Sequence, residues 1–107
     1  MAMMNINESN FQEIINGQVP VLIEFKAPWC TYCRRIAPAL KKVADEFDGK
    51  LIVGEVDIDV SPALAEAYQI ELVPTLVVFK GGEALGDAVN PASKAQIESL
   101  IREHLDI

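Results

Sequence analysis

Apolar residues along the chain follow two periods, and the switches between them divide it into short segments. Val19 to Phe25 is almost unbroken apolar sequence, which predicts a strand covered on both faces. Leu51 to Ile58 predicts a second interior strand, and Thr75 to Phe79, β-branched and aromatic, a third. From Cys33 the period changes: Ile36, Leu40, Val43 and Phe47 recur at helical spacing until Asp48-Gly49 ends the element. Phe11, Ile14 and Ile15 make a shorter helical face, with Ser9 and Gln12 spaced as a capping box and Asn16-Gly17 as the stop. Ser61-Pro62 supplies an N-cap and a first-turn proline for a short helix through Tyr68. Gly81-Gly82 turns the third strand into a hairpin with Glu83 to Val89. Ser93 and Gln96 form another capping box ahead of the stripe Ile97, Leu100, Ile101 and Leu105. Met4-Asn5-Ile6 reads as a short first strand. Strand, helix and strand at this spacing imply a parallel pair with a right-handed crossover, and the hairpin adds antiparallel strands. The expected class is α/β, a mixed sheet of four to five strands with helices on both faces, in a single domain spanning 1–107.

Composition narrows the function classes. Sixteen acids against 9 Lys and Arg give a net charge of −7, which argues against nucleic acid and anionic membranes, both of which need basic patches. No apolar run approaches a membrane span. The first ten residues lack a basic start followed by a long apolar stretch, so no signal peptide is read and the cytoplasm is the expected compartment.

Chemistry concentrates in VLIEFKAPWCTYC, Val21 to Cys33. Cys30 follows a strand and Cys33 opens a helix, so the two lie within the Cα separation that a disulfide allows. Free N–H groups of the first helical turn, with the helix dipole, favour a Cys30 thiolate at the surface, and a second thiol in reach makes a dithiol redox couple. Three other uses compete. A zinc site needs two further ligands, and the only histidine, His104, lies in the last helix as a cation near a C-terminus; a metal shared between two chains stays open. Inert core cysteines fit poorly between Trp29 and a helix start, and a structural disulfide closing so short a loop constrains the unfolded chain little. Glu24 raises a separate question, because a carboxylate in an apolar strand needs a partner or a task. One answer is partial exposure and pairing with Lys26, which shares its strand face; another neighbour, Glu55, would raise the pKa of Glu24 on close approach. Asp57 and Asp59 read as solvation of a strand end.

Glu24, Phe25, Ala27, Trp29-Cys30, Cys33, Ala37-Pro38, Val56-Asp57-Ile58-Asp59, Val73-Pro74-Thr75 and Phe79-Lys80-Gly81-Gly82 together resemble the thioredoxin family over nearly the whole chain. The resemblance implies the thioredoxin fold, a cis Pro74 facing the cysteines and a helix kinked at Pro38. It implies a monomeric protein-disulfide reductase without a bound cofactor or metal, recharged by a donor of the thioredoxin-reductase kind. Cys30 would be the nucleophile, Cys33 the resolving cysteine, and Glu24 the proton acceptor for Cys33. Trp29, Thr31, Tyr32, Val73, Pro74 and Asn90 would form the surface where substrate docks. The same cysteines run at higher potential would make an oxidase or isomerase, and a thioredoxin-fold binding module would use the apolar rim alone.

The chain also departs from the family. Thr31-Tyr32 stands where Gly-Pro is usual, which suggests a less reducing couple; the tyrosine is similar to glutaredoxin's Pro-Tyr. Ala27-Pro28-Trp29-Cys30 with a glutamate acid is similar to protein disulfide isomerase domains, but their histidine between the cysteines is missing. Lys26 is offered as a cation that favours the Cys30 thiolate. Asn90 replaces a usual glycine and tolerates the same backbone angles.

Overall fold

The computed structural model describes residues 3–107. In chain order it contains β1 (Met4–Asn5), α1 (Phe11–Ile15), β2 (Val21–Lys26), α2 (Thr31–Glu46), β3 (Ile52–Asp57), α3 (Pro62–Ala67), β4 (Thr75–Lys80), β5 (Glu83–Val89) and α4 (Lys94–His104). One mixed five-stranded sheet runs in the order β1-β3-β2-β4-β5. β2 and β3 are parallel with α2 as the crossover, whereas β4 is antiparallel to both β2 and β5. Gly81 and Gly82, with φ of 60° and 84°, form the two-residue connection between β4 and β5; positive φ at both positions matches the twist of paired strands and is open to glycine at little cost.

Alternation along the central strands builds two cores. Val21, Ile23 and Phe25 of β2 point with Val77 and Phe79 of β4 to the face covered by Phe11 and Ile15 of α1, with Leu64 and Tyr68 packed against them. Leu22 joins Leu76 and Val78 on the other face, beneath Ile36, Leu40 and Val43 of α2 and Ile97, Leu100 and Ile101 of α4. Glu24 alternates in step with Leu22, so its carboxyl enters the face that α2 covers. Pro38 lies inside α2, where it has no N–H to donate one turn back, yet Thr31–Glu46 runs as one element.

Local sequence signals misplace some boundaries. Ser9 does not cap α1: the cap residue is Asn10, and the Ser9 N–H and hydroxyl instead donate to Asn7 Oδ1 at 2.9 and 2.6 Å. Gln12 accepts from Asn16 Nδ2 at 3.2 Å rather than reaching back. Asn10 makes no side-chain cap bond either; its Oδ1 accepts the Asn7 N–H at 2.8 Å, so the asparagines order the turn before the helix. β2 begins at Val21, not Val19, because Pro20 has no N–H for the ladder and Val19 is exposed. The Ser93 box forms in part: Ser93 Oγ accepts from Gln96 N at 3.3 Å, but Gln96 Oε1 accepts from Ala92 N at 2.7 Å.

Gly54 of β3 sits opposite Met4 of β1, and a Cβ there would lie 3.0 Å from the Met4 carbonyl oxygen and run into the buried Ile6 side chain. Gly54→Ala is therefore expected to displace β1 and cost about 1–3 kcal/mol, read as a lower urea midpoint. An unchanged midpoint would contradict this close approach.

Candidate active site

At the ends of β2 and β3 the chain leaves the sheet, and the cysteines sit where β2 hands over to α2. Cys30 is the N-cap of α2, extended at φ −87° and ψ 109°, and its Sγ accepts the Cys33 N–H at 3.1 Å. Cys30 and Cys33 are joined in a disulfide with 5.3 Å between their Cα atoms. A cap sulfur in this place holds a backbone donor and the positive end of a 16-residue helix, the two influences that favour a thiolate once the bond is opened.

The surface position expected for Cys30 needs correction. Cys30 is 4% exposed and Cys33 3%, and both pack with Ala27, Ile58 and Val73 in a small cluster apart from the two cores. The sulfur of Cys30 lies in a shallow well, 3.6 Å from the Val73 carbonyl oxygen. The rim above it is exposed: Trp29 is 65% accessible and Tyr32 51%. The Val73–Pro74 peptide is cis. Its loop is tied on both sides, by Thr75 Oγ1 donating to Leu72 O at 2.6 Å and Asn90 N donating to Pro74 O at 2.7 Å. Asn90 adopts φ 48°, the left-handed conformation that glycine or asparagine takes most readily. Thr31 is exposed and its Oγ1 lies 3.5 Å from Arg34 Nη2. Trp29, Thr31 and Tyr32 thus lie beside the cysteines in sequence, and Val73 meets them in space, with Pro74 next to it across the cis bond.

Glu24 is buried at 2% exposure, and its Oε2 has no hydrogen-bond partner. Burial pushes its pKa up to about 7; Lys26 opposes that shift and Glu55, opposite it on β3, adds to it. The expected alternative, a half-exposed Glu24 paired with Lys26, does not occur. Lys26 Nζ bonds Glu55 Oε2 at 3.3 Å instead, diagonally across the β2–β3 pair, where both side chains are partly exposed while the Glu24 carboxyl is buried. Among the described residues no hydrogen bond or ion pair joins Lys26 to either cysteine, so its proposed support of the Cys30 thiolate has no contact behind it. His104 keeps to its own helix, with Nδ1 3.0 Å from Leu100 O and its ring against Gly86.

Sequence reading missed Asp59. Its Oδ2 accepts the Trp29 indole N–H at 3.1 Å, while its own N–H donates to Asp57 Oδ1 at 2.9 Å. Asp59, steadied by Asp57 at the end of β3, therefore holds the exposed tryptophan beside the cysteines, rather than merely hydrating a strand end. No local signal links residues 30 positions apart. Arg35 was also missed: its guanidinium stacks on the Tyr32 ring, 4.6 Å from the centroid, at a helical spacing that sequence does disclose.

Among the described residues no helix is long and apolar enough to cross a membrane. Residues 2–103 match the family model described as Thioredoxin. Over 105 residues the chain is 37% identical to Thioredoxin 1 of Nostoc sp. (strain PCC 7120), a match covering 97% of this chain and 98% of that one. It is 33% identical over 106 residues to Thioredoxin of Porphyra purpurea, covering 98% and 99%. Thioredoxin of Staphylococcus saprophyticus is 36% identical over 105 residues, covering 98% and 100%.

Proposed function

The chain belongs to the thioredoxin family, and from that membership and the Cys30–Cys33 pair we infer a thiol–disulfide oxidoreductase that reduces protein disulfides. The observation that carries this reading is the bonded cysteine pair at the entrance of α2, under the cis Val73–Pro74 loop and beside the exposed Trp29.

In the reduced protein, the Cys30 thiolate attacks one sulfur of a substrate disulfide. A Cys30–substrate bond forms, the substrate bond breaks, and the first substrate sulfur leaves as a thiolate that takes up a proton. Cys33 then gives its proton to Glu24 and attacks Cys30 Sγ; Cys30–Cys33 closes, the second substrate sulfur leaves as a thiolate that takes up a proton, and Glu24 gives its proton back to solvent. In total two protein thiols and one substrate disulfide become one protein disulfide and two substrate thiols. Burial suits Glu24 to the middle step, because a carboxyl with a pKa of about 7 holds and gives up a proton near neutrality. Trp29, Thr31, Tyr32, Val73, Pro74 and Asn90 receive the substrate chain. We assign the protein to the cytoplasm as a monomer, recharged by an electron donor of the thioredoxin-reductase kind.

Insulin reduction with dithiothreitol as reductant tests the activity: the protein should speed loss of insulin disulfides well above the reductant alone. A rate equal to the reductant alone would overturn the reading. Titration of Cys30–Cys33 against glutathione, followed by Trp29 fluorescence, places the couple. Thr31-Tyr32 in place of Gly-Pro leads us to expect a potential above about −270 mV, the thioredoxin value. A measured value at or below it would remove that expectation.

A further inference from the structure

Beside the cysteine pair lies a cavity of about 120 Å³, lined by Tyr32, Arg35, Ile36, Asn90, Pro91 and Ala92. The exchange chemistry makes no use of Arg35, and its guanidinium forms no ion pair or side-chain hydrogen bond among the described residues. Arg34 next to it is committed, with Nη1 donating to Pro28 O at 2.8 Å. The Arg35 guanidinium carbon lies 4.6 Å from the Tyr32 ring centroid, a contact that holds the cation at the cavity wall without using its N–H donors. A planar fork of donors matches the two oxygens of a carboxylate. Asn90 contributes a second polar group to the same wall; its backbone N–H is tied to Pro74 O at 2.7 Å, and its side-chain amide has no partner. Ile36, Pro91 and Ala92 complete the lining and give the methylene groups of an acidic side chain something to pack against. The volume equals that of roughly four waters, room for a carboxylate and its methylene groups.

Arg35 follows Cys30 by five positions, roughly 7.5 Å along the helix axis. A substrate extended along α2 advances about 3.3 Å per residue, so in that alignment a side chain about two residues from the attacked cysteine would reach the cavity. We propose that the Tyr32–Arg35–Asn90 cavity is a subsite for the carboxylate of an Asp or Glu close to the substrate's disulfide, which makes the protein selective for acidic disulfide-bearing polypeptides. This selectivity rests on the exchange function inferred above.

The test uses two peptide disulfides that differ only in Glu or Gln two residues from the cysteine, placed on either side of it. Wild type should show a KM roughly threefold to tenfold lower for the Glu peptide, with kcat little affected and the preference shrinking as salt is raised. In Arg35→Gln the KM ratio should fall to about one, and in Arg35→Glu the Gln peptide should be preferred. Equal KM values for the two peptides in wild type, or a preference that survives Arg35→Gln, would overturn the subsite. So would an Arg35→Gln effect confined to glutathione disulfide, which would place a small thiol there instead. Failure to reduce either peptide would strike the exchange reading alone. Binding of peptides with serine for cysteine, followed by Trp29 fluorescence, then decides: a Glu preference lost in Arg35→Gln supports the subsite, and equal affinities overturn it.

Discussion

Cys30→Ser is expected to slow disulfide reduction by a factor on the order of a thousand or more, and Cys33→Ser to stop the reaction halfway with substrate held on Cys30. The asymmetry follows from position. Cys30 caps the helix, with its sulfur 3.6 Å from the Val73 carbonyl oxygen and next to the exposed Trp29; Cys33 lies within the first turn and is bonded to Cys30 from inside. A hydroxyl at position 30 ionises far above neutral pH, so no nucleophile remains. The fold should survive, because serine is itself a good N-cap for the Cys33 N–H and both cysteines lie outside the two large cores. Insulin turnover measures the first effect, and mass spectrometry of a non-reduced sample measures the trapped adduct. Ordinary turnover in Cys30→Ser, or free turnover without an adduct in Cys33→Ser, would contradict the assigned roles.

Glu24→Gln should stabilise the oxidised protein at alkaline pH. The carboxyl titrates at 4.5 when unfolded and at about 7 when folded, chiefly because burial disfavours its charge. The folded state thus holds the proton more tightly. The stability this contributes is complete below pH 4.5 and is lost as pH rises through about 7. Glutamine stays neutral and escapes the loss. The stability difference between variant and wild type should therefore grow by about 3 kcal/mol from pH 4 to pH 8, on top of any constant offset from the buried amide. Urea titrations at both pH values measure it, and the disulfide keeps thiol ionisation out of the comparison. Parallel pH profiles would show that Glu24 does not titrate in this range. In turnover, the variant should release the mixed disulfide slowly and lose the inflection near neutrality.

Much of this architecture is written in short-range pattern. The apolar runs at Val21 and Leu51 and the Gly81-Gly82 turn fall on β2, β3 and the β4–β5 hairpin because each depends on neighbours within a few residues. The cysteine pair was legible for the same reason, its spacing and the helix start being one local fact. What pattern could not supply was the choice among equal candidates. Ser9, Asn7 and Asn10 all offer a capping oxygen, and in the structure they bond one another ahead of the helix, which starts after Asn10. Lys26 had more than one carboxylate near it, and it bonds Glu55, diagonal to it across the β2–β3 pair, rather than Asp57, its partner in register. Trp29 and Asp59 meet because parallel β2 and β3 end side by side, a consequence of topology that neither residue carries alone.

The site is assembled from two sources of unequal security. The cysteines belong to the β2–α2 junction in the middle of the sheet, whereas the Pro74 loop is tied through Asn90 to the end of β5, an outermost strand with one free side. Edge strands open before central ones. Fraying there would loosen the hand that picks out a client before it blunted the sulfur that attacks one, leaving a reagent still armed but no longer choosy.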